Sequence, residues 1–415
     1  MIKHLRPLSI CIAILFLVSS VVFAETSIVT FVKTNNGNWK LTVDDKDYFI
    51  KGMAYSADKI GERPDANEWM WEDSNYNGRA DGPYNAWVDL NGDGFQDISE
   101  KTVGDFALLK AMGVNTIRIY HAEKINKDLL RDLYYTYGIR VIMGNYLGAY
   151  TKGSGAHWDV GTDYTNQEQR IKMKESVRKM VLEHKDEPYV LMWMLGNEND
   201  SGGSQANSTK TNTNAVGNPE AFAKFVNEAA ILIKSIDQNH PVGVCNATTK
   251  FLPYYKKFSP ALDFLGFNQY SGPYGFGSLF NRVKTDNDLP VLISEFGCDA
   301  YNSKLKREDE RFQSKYHIGA WRDIEKNSAY NDAGAGNAVG GVVYCWLDKW
   351  WLVGSAKVHD TELGSWAGPK NDNTFHDEWF GMSSQGNGKH SPFERRLRDV
   401  YYVYQEVLWK NDITK

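Results

Sequence analysis

The sequence predicts an α/β fold: a closed (β/α)8 or TIM barrel with a small N-terminal β-hairpin and long loops on one face. Short apolar runs alternate with helical sequence eight times along the chain, and eight is the strand number of that barrel. Two of the runs, in 191–200 (LMWMLGNEND) and 290–297 (PVLISEFG), are almost continuously apolar and then reach a carboxylate. Continuous apolar runs are typical of parallel strands that are buried on both faces.

The chain opens with a predicted secretory signal peptide over residues 1–24. Lys3 and Arg6 precede an apolar run over residues 8–22, and the cleavage site follows Ala24. A single membrane anchor is the alternative, but the run is short for a span. We therefore predict a secreted or periplasmic protein in which residues 25–415 form one domain, with no membrane span after cleavage.

The elements follow one another in the order that a barrel requires. A hairpin over residues 29–43 turns at 35–38 (NNGN). The first barrel strand is predicted over 48–55, and a polar insert over 56–98 follows it. The other strands are predicted at 114–120, 140–145, 189–195, 242–246, 262–268, 291–295 and 340–346, with helices between them that include 99–112 and end with 391–409. An open doubly wound sheet is the alternative, but no Gly-rich phosphate loop follows the first strand.

Composition narrows the classes of function. The net charge is -5 and no long run has one sign, which excludes a nucleic-acid surface. The chain has 13 Trp, 23 Tyr and 19 Phe; such rings suit sugar binding, although a large core accounts for about half of them. Cys245, Cys298 and Cys345 remain after signal removal. We predict buried free thiols, with one disulfide among them left open.

Two carboxylates are the candidate catalytic residues. Glu198 ends the fourth strand and Glu295 the seventh, and the carboxyl ends of barrel strands converge on one face. Retaining cleavage of a glycosidic bond needs two carboxyl groups about 5 Å apart, one as acid/base and one as nucleophile. Burial of both in ion pairs is the alternative. Their common placement at strand ends favours the catalytic pair.

The segments around both carboxylates resemble a known group. WMLGNEND is similar to the acid/base motif of the clan A retaining barrel glycosidases, which include the catalytic domain of glycoside hydrolase family 2, and ISEFGCDAY to their nucleophile motif. The resemblance implies Glu198 as acid/base and Glu295 as nucleophile. It further implies that Asn197 binds a sugar hydroxyl, Arg118 keeps the nucleophile ionised, Tyr270 contacts it and Trp346 forms an aromatic floor.

Plain structural roles stay open for the supporting residues. Arg118 is also explained as a salt-bridge partner, and Tyr270 and Trp346 as core aromatics. His121 either lines the site or is a structural histidine. Two subgroups compete: the segment 31–55 (FVKTNNGNWKLTVDDKDYFIKGMAY) resembles fungal cell-wall β-1,3-glucanosyltransferases, whereas CWLDKWW and HDEWFGM resemble family 2 hydrolases.

The function expected from these features is cleavage of β-glucan-like poly- or oligosaccharides by an exported retaining β-glycosidase, through a glycosyl-enzyme intermediate and without a catalytic cofactor. A β-1,3-glucanosyltransferase would use the same residues, because transfer and hydrolysis share that intermediate. A non-catalytic carbohydrate-binding protein is the alternative from another class. Such a protein has no need of both Glu198 and Glu295.

The insert contains a predicted structural Ca²⁺ site. Residues 89–100 (DLNGDGFQDISE) fit the twelve-residue calcium loop, with Gly94 at the turn. The expected ligands are Asp89, Asn91, Asp93, the Phe95 carbonyl, Asp97 and Glu100. An Asx-rich surface turn is the alternative. Residues 73–81 (DSNYNGRAD) repeat the first nine positions, but Tyr84 stands in place of the final Glu, so a second site stays undecided.

Overall fold

The computed structural model describes residues 26–201 and 211–415, and the predicted signal peptide lies outside them. The strands are β1 (Val29–Lys33), β2 (Trp39–Val43), β3 (Lys46–Tyr48), β4 (Ile50–Ala54), β5 (Trp87–Val88), β6 (Thr116–Ile119), β7 (Arg140–Asn145), β8 (Val190–Leu195), β9 (Val242–Asn246), β10 (Phe264–Asn268), β11 (Val291–Phe296), β12 (Tyr301–Asn302), β13 (Arg307–Glu308), β14 (Ala338–Val343), β15 (Ser365–Ala367), β16 (Thr374–His376), β17 (Ser383–Ser384) and β18 (Glu394–Leu397). The α-helices are α1 (Asp81–Asn85), α2 (Asp105–Met112), α3 (Lys127–Tyr137), α4 (Gln167–His184), α5 (Pro219–Ile236), α6 (Leu252–Phe258), α7 (Leu279–Asp286), α8 (Glu310–Lys326) and α9 (Asp399–Val403).

Eight parallel strands close into a barrel, in the spatial order β4-β6-β7-β8-β9-β10-β11-β14. Every residue of β7, β8, β11 and β14 is buried, as expected when side chains fill the barrel and helices cover its outside. The predicted (β/α)8 class is confirmed, and the open sheet is excluded.

The N-terminal hairpin is also confirmed, as the antiparallel sheet β1-β2-β3. The N–H of Val29 donates to the carbonyl of Asn239 at 2.8 Å, and the ring of Phe31 packs 5.5 Å from that of Phe264. Both partners lie at the amino ends of barrel strands. The hairpin therefore covers the face opposite to the one where Glu198 and Glu295 emerge.

Two predicted helix boundaries are wrong because the insert pairs with the C-terminal segment. The helix predicted over 99–112 begins only at Asp105. The helix predicted over 391–409 contains the strand β18, which pairs in parallel with β5. Arg395 of this strand is fully buried and its guanidinium binds Asp105 at 2.6 Å. This buried pair fixes an extended backbone where the local pattern favoured a helix.

No helix in the described ranges, 26–201 and 211–415, is long and apolar enough to cross a membrane.

Candidate active site

Glu198 stands on a tight turn just beyond β8. The chain leaves the barrel at Gly196 (φ +70°), and Glu198 itself has φ +56°, a left-handed conformation that is unfavourable for residues with a Cβ. Hydrogen bonds hold the turn: the N–H of Gly196 donates to the Asn145 carbonyl at 2.7 Å, and the N–H of Asn197 donates to Asn199 Oδ1 at 2.7 Å. Backbone strain of this kind concentrates at functional sites.

Glu295 lies in β11, one residue before its end, and three donors converge on its carboxylate. Oε1 accepts from Arg118 Nη1 at 3.1 Å and from the Tyr120 hydroxyl at 2.7 Å. Oε2 accepts from the Tyr270 hydroxyl at 2.8 Å. Burial, and then the charge of Glu295, raises the pKa of both tyrosines well above the usual value. Both phenols therefore remain donors, and donors favour the ionised form of a carboxyl group.

Asn268 and Arg118 join the two carboxyl groups into one network. Asn268 donates from Nδ2 to Glu198 Oε1 at 2.9 Å, and its Oδ1 accepts from Arg118 Nη1 at 3.2 Å. The other terminal nitrogen of Arg118, Nη2, donates to Asn197 Oδ1 at 3.0 Å. The structure thus brings together five of the predicted residues, Arg118, Asn197, Glu198, Tyr270 and Glu295, in one network with an asparagine that the sequence did not single out.

Arg118 is the cation at the base of this network, and only 1% of it is exposed. Burial by itself lowers the pKa of a guanidinium, but the groups around it, including Glu295, outweigh this effect and raise the pKa of Arg118. The guanidinium of Arg118 therefore stays positively charged. Below it, Cys245 Sγ lies 3.3 Å from Nη2, and burial raises the pKa of the thiol to about 11. Cys245 is a neutral packing residue, not a nucleophile.

All three described cysteines are buried and free. The prediction of free thiols is confirmed, and the possible disulfide is not formed.

The network opens into a cleft of about 790 Å³ whose walls are rich in aromatic side chains. Tyr270, predicted to contact the nucleophile, hydrogen-bonds Glu295 and also lines this cleft. The aromatic residues that line the cleft are Tyr55, Trp69, Tyr120, Tyr146, Tyr150, Tyr270, Tyr344, Trp351, Trp366 and Phe380. Flat apolar rings of this kind suit the faces of sugar rings.

His121 lines the cleft wall at one side. Its Nε2 lies 3.1 Å from Glu123 Oε1, and its ring stacks on Tyr146 with centroids 5.2 Å apart. The proximity of the His121 imidazole lowers the pKa of Glu123. The imidazole therefore has structural partners on two sides while one edge borders the cleft.

Trp346 does not line this cleft, contrary to the prediction. Its side chain is fully buried, and its ring packs 6.2 Å from that of Tyr401. The eighth strand ends at Val343, so the backbone has already turned before residue 346. Tyr344 is the residue of this segment that reaches the cleft, and Trp351 and Trp366 from the following loop join it.

Three site residues were not predicted from the sequence: Tyr120, Asn268 and Tyr150. Tyr120 follows the end of β6 and Asn268 ends β10, so both carried the same signal as Glu295: a polar side chain at the carboxyl end of a barrel strand. Tyr150, whose hydroxyl accepts from Asn197 Nδ2 at 3.3 Å, stands in a loop and carried no such signal.

The cations that line the cleft are each held beside a carboxylate. Lys349 Nζ lies 3.2 Å from Asp58 Oδ2. Lys152 Nζ lies 3.9 Å from Asp65 and 3.8 Å from Glu123, and Arg118 pairs with Glu295. The cleft therefore offers little uncompensated positive charge.

The predicted calcium loop, residues 89–100, closes on itself. The N–H of Leu90 donates to Glu100 Oε1 at 2.6 Å, and that of Gly94 to Asp89 Oδ2 at 3.0 Å. Asp89 also pairs with Arg396 at 3.0 Å. Within the described ranges, no three His, Cys, Asp or Glu side chains are gathered as a metal-binding group. The backbone of residues 89–100 folds as a calcium loop does, but its carboxylates do not converge on one point.

An eight-stranded parallel barrel with a pair of carboxyl groups at the carboxyl ends of its strands is the architecture of the barrel glycoside hydrolases. Comparison with known proteins gives the family. The model of the glycosyl hydrolases family 2 TIM barrel domain matches residues 86–321. The chain belongs to this family of glycosyl hydrolases.

Solved structures with the same fold are distant in sequence. The β-D-glucuronidase of Dictyoglomus thermophilum is 16% identical, with a TM-score of 0.54 over 93% of this chain and 54% of that one. A β-galacturonidase from Eisenbergiella tayi is 14% identical, with a TM-score of 0.53 over 93% and 55%. A Bacteroides uniformis β-glucuronidase is 18% identical, with a TM-score of 0.56 over 93% and 38%.

This chain thus spans about half the length of those proteins or less. The comparison with curated proteins finds no match.

Proposed function

We propose that the chain is an exported β-glycosidase that cleaves β-glucan-like poly- or oligosaccharides by double displacement, with Glu295 as nucleophile and Glu198 as acid/base. The observation that carries this proposal is the shared network of the two carboxyl groups, which the side chains of Arg118 and Asn268 connect. Export rests on the signal-like residues 1–24 alone.

Each carboxyl group has surroundings suited to its role. Three donors around Glu295 favour the anion that attacks the anomeric carbon. Glu198 gives its proton to the leaving oxygen as the C–O bond breaks and the ester with Glu295 forms. It then takes a proton from water, which attacks the anomeric carbon and releases Glu295. Asn197, fixed by Arg118 and Tyr150, is placed to bind a sugar hydroxyl.

The charges in the cleft support a neutral sugar as substrate. Five carboxylates line it, Asp58, Asp65, Glu198, Glu295 and Asp377, against three lysine and arginine side chains. Because each of those cations lies beside a carboxylate, a uronate would bring a further negative charge without a free partner. The aromatic walls supply stacking surfaces that neutral glucan units use.

Matched substrates test this proposal. Aryl β-glucosides and β-1,3- or β-1,4-gluco-oligosaccharides are expected to be cleaved in preference to the aryl β-glucuronide, and Glu295→Gln is expected to abolish turnover while sugar binding persists. Preference for the glucuronide would overturn the substrate assignment. Unchanged turnover of Glu295→Gln would overturn the assignment of the nucleophile. Products longer than the substrate would identify the transferase alternative.

We also propose that residues 89–100 bind a structural Ca²⁺. Oxygen atoms at positions 1, 3, 5, 7, 9 and 12 match the ligand pattern of a calcium loop, and the hydrogen bonds of Gly94 and Leu90 fold the backbone around them. For Ca²⁺ to bind, Asp89 must release Arg396 and coordinate the ion instead. A Glu100→Gln variant that binds Ca²⁺ as tightly as the parent chain would contradict this proposal.

A further inference from the structure

The segment 73–81 (DSNYNGRAD) has the same internal course as the predicted calcium loop, although it lacks the final Glu. The N–H of Gly78 donates to Asp73 Oδ2 at 2.7 Å, as that of Gly94 does to Asp89. The two glycines have nearly equal φ angles, +82° and +80°. Each loop therefore wraps its backbone around its first carboxylate.

The place of the missing Glu is taken by Asp81. In the loop 89–100, Glu100 closes the loop by accepting from the N–H of the second residue, Leu90. In the segment 73–81, Asp81 Oδ2 accepts from the N–H of the second residue, Ser74, at 3.0 Å, and from its hydroxyl at 2.5 Å. The closing carboxylate thus comes from position nine instead of position twelve.

A buried and unpartnered oxygen marks this loop as incomplete. Asp81 is only 1% exposed, and its Oδ1 has no hydrogen-bond partner. The other oxygen, Oδ2, is hydrogen-bonded to Ser74, which places the carboxylate beside the loop. A buried carboxylate oxygen without a partner is unfavourable, and a cation is the partner that satisfies it best.

No cation of the described residues lies within salt-bridge distance of this carboxylate. In the described ranges, Asp73 and Asp81 form no salt bridge with Lys, Arg or His. Arg79, inside the loop, is stacked on the ring of Tyr84 with its Cζ 3.9 Å from the centroid. This contrasts with the loop 89–100, where Arg396 already pairs with Asp89.

The amide side chains have suitable orientations. Asn75 Oδ1 accepts from the N–H of Asn77 at 3.1 Å. Asn77 Oδ1 accepts from the N–H of Arg79 at 3.0 Å, while its Nδ2 is held by Asn85 Oδ1 at 2.8 Å. The oxygens therefore face the loop and the nitrogen of Asn77 faces away from it.

We propose that residues 73–81 form a second Ca²⁺ site, with ligands from Asp73, Asn75, Asn77, the carbonyl of Arg79 and Asp81. Two carboxylates, two amide oxygens and a carbonyl give five hard oxygen ligands, or six when one carboxylate binds through both of its oxygens, and water completes the six to eight that Ca²⁺ takes. Mg²⁺ requires a stricter octahedron and keeps more of its own water. The site lies four residues after Trp69, which lines the cleft, so the ion stiffens one cleft wall.

Calcium titration of the chelator-treated full chain tests this site. Isothermal titration calorimetry is expected to give two Ca²⁺ ions per chain, and Asp81→Asn is expected to lose one of them or to weaken it at least about tenfold, because ligand charge sets affinity. Asp128→Asn is the matched control: it removes one carboxylate whose side chain is 89% exposed, and it should keep both ions. Asn75→Ala, at an exposed position, provides a second loop variant if Asp81→Asn does not fold.

The variant Glu100→Gln separates the two sites. It should keep the ion bound by residues 73–81, and the double variant with Asp81→Asn should bind none. If Glu100→Gln binds no Ca²⁺, or if Asp81→Asn and Asn75→Ala bind like the parent chain, the second site is refuted. If the parent chain binds one ion that Asp81→Asn removes, the second site stands and the first proposal fails.

Discussion

Replacement of Tyr270 by Phe probes the support of the nucleophile. The Tyr270 hydroxyl donates to Glu295 Oε2 at 2.8 Å, whereas Oε1 has two donors, Arg118 and Tyr120. Hydrogen bonds to charged groups contribute about 1.5–3 kcal/mol. Because this hydrogen bond orients the carboxylate for attack, and a loss of that size in the transition state corresponds to about 10- to 100-fold, Tyr270→Phe is expected to lower kcat/KM by that factor. The ring remains, so its packing against Phe380 and Trp366 is kept.

Steady-state kinetics on an aryl β-glucoside measure this effect. Tyr274→Phe is the control, since Tyr274 is 88% exposed and should behave like the parent enzyme. A Tyr270→Phe enzyme whose kcat/KM lies within twofold of the parent value would refute the role of this hydrogen bond.

Three further predictions concern the acid, the pH dependence of stability and the metal. Glu198→Gln should slow cleavage of substrates with poor leaving groups by about 10²–10⁴-fold and affect an activated aryl glycoside far less in its first step; equal losses for both would argue against the acid role. Burial lowers the pKa of His317 from 6.5 to about 3, so the unfolded chain takes up the proton first and stability is lost as pH falls below about 6.5. The loss from this residue is about 3 kcal/mol at pH 4.5, and urea unfolding at pH 7.5 and 4.5 should show a smaller difference for His317→Gln than for the parent chain. Chelation should lower Tm by roughly 3 °C for each site held at 100 times its Kd, whereas an unchanged Tm would contradict structural roles for the ions.

The sequence was sufficient for the barrel and for its two acidic residues. Buried parallel strands have no polar face, so β8 and β11 can be recognised in the sequence as continuous apolar runs. A closed barrel then brings their carboxyl ends to one face whatever the helices do. Glu198 and Glu295 could therefore be paired without knowledge of any distance.

The residues around the two carboxylates could not be predicted in the same way, because their positions depend on tertiary contacts and not on the hydrophobic pattern along the chain. Asn268 matters because it lies between Arg118 and Glu198, and no spacing along the chain shows this. Trp346 was assigned to the cleft from a motif, but its position three residues past β14 turns it toward Tyr401. The point at which the backbone turns after a strand is set by tertiary contacts, which a sequence motif does not show.

The C-terminal segment illustrates the same limit at the level of secondary structure. Residues 394–397 have a helical pattern that is overridden because Arg395 must reach the buried Asp105, 290 residues away in the chain. Asp81 likewise accepts, from position nine, the hydrogen bond of the second loop residue that Glu100 accepts from position twelve in the loop 89–100. In both cases a buried polar side chain, and not the local pattern, decides the conformation.

Covalent trapping of the glycosyl-enzyme tests the central claim most directly. A 2-deoxy-2-fluoro-β-glucosyl fluoride should inactivate the enzyme with one sugar bound per chain, because the fluorine slows release of the intermediate more than its formation. Peptide mass spectrometry of the digested protein should place that sugar on Glu295, and Glu295→Gln should remain unlabelled. A label on any other residue would contradict the assignment of Glu295 as the nucleophile.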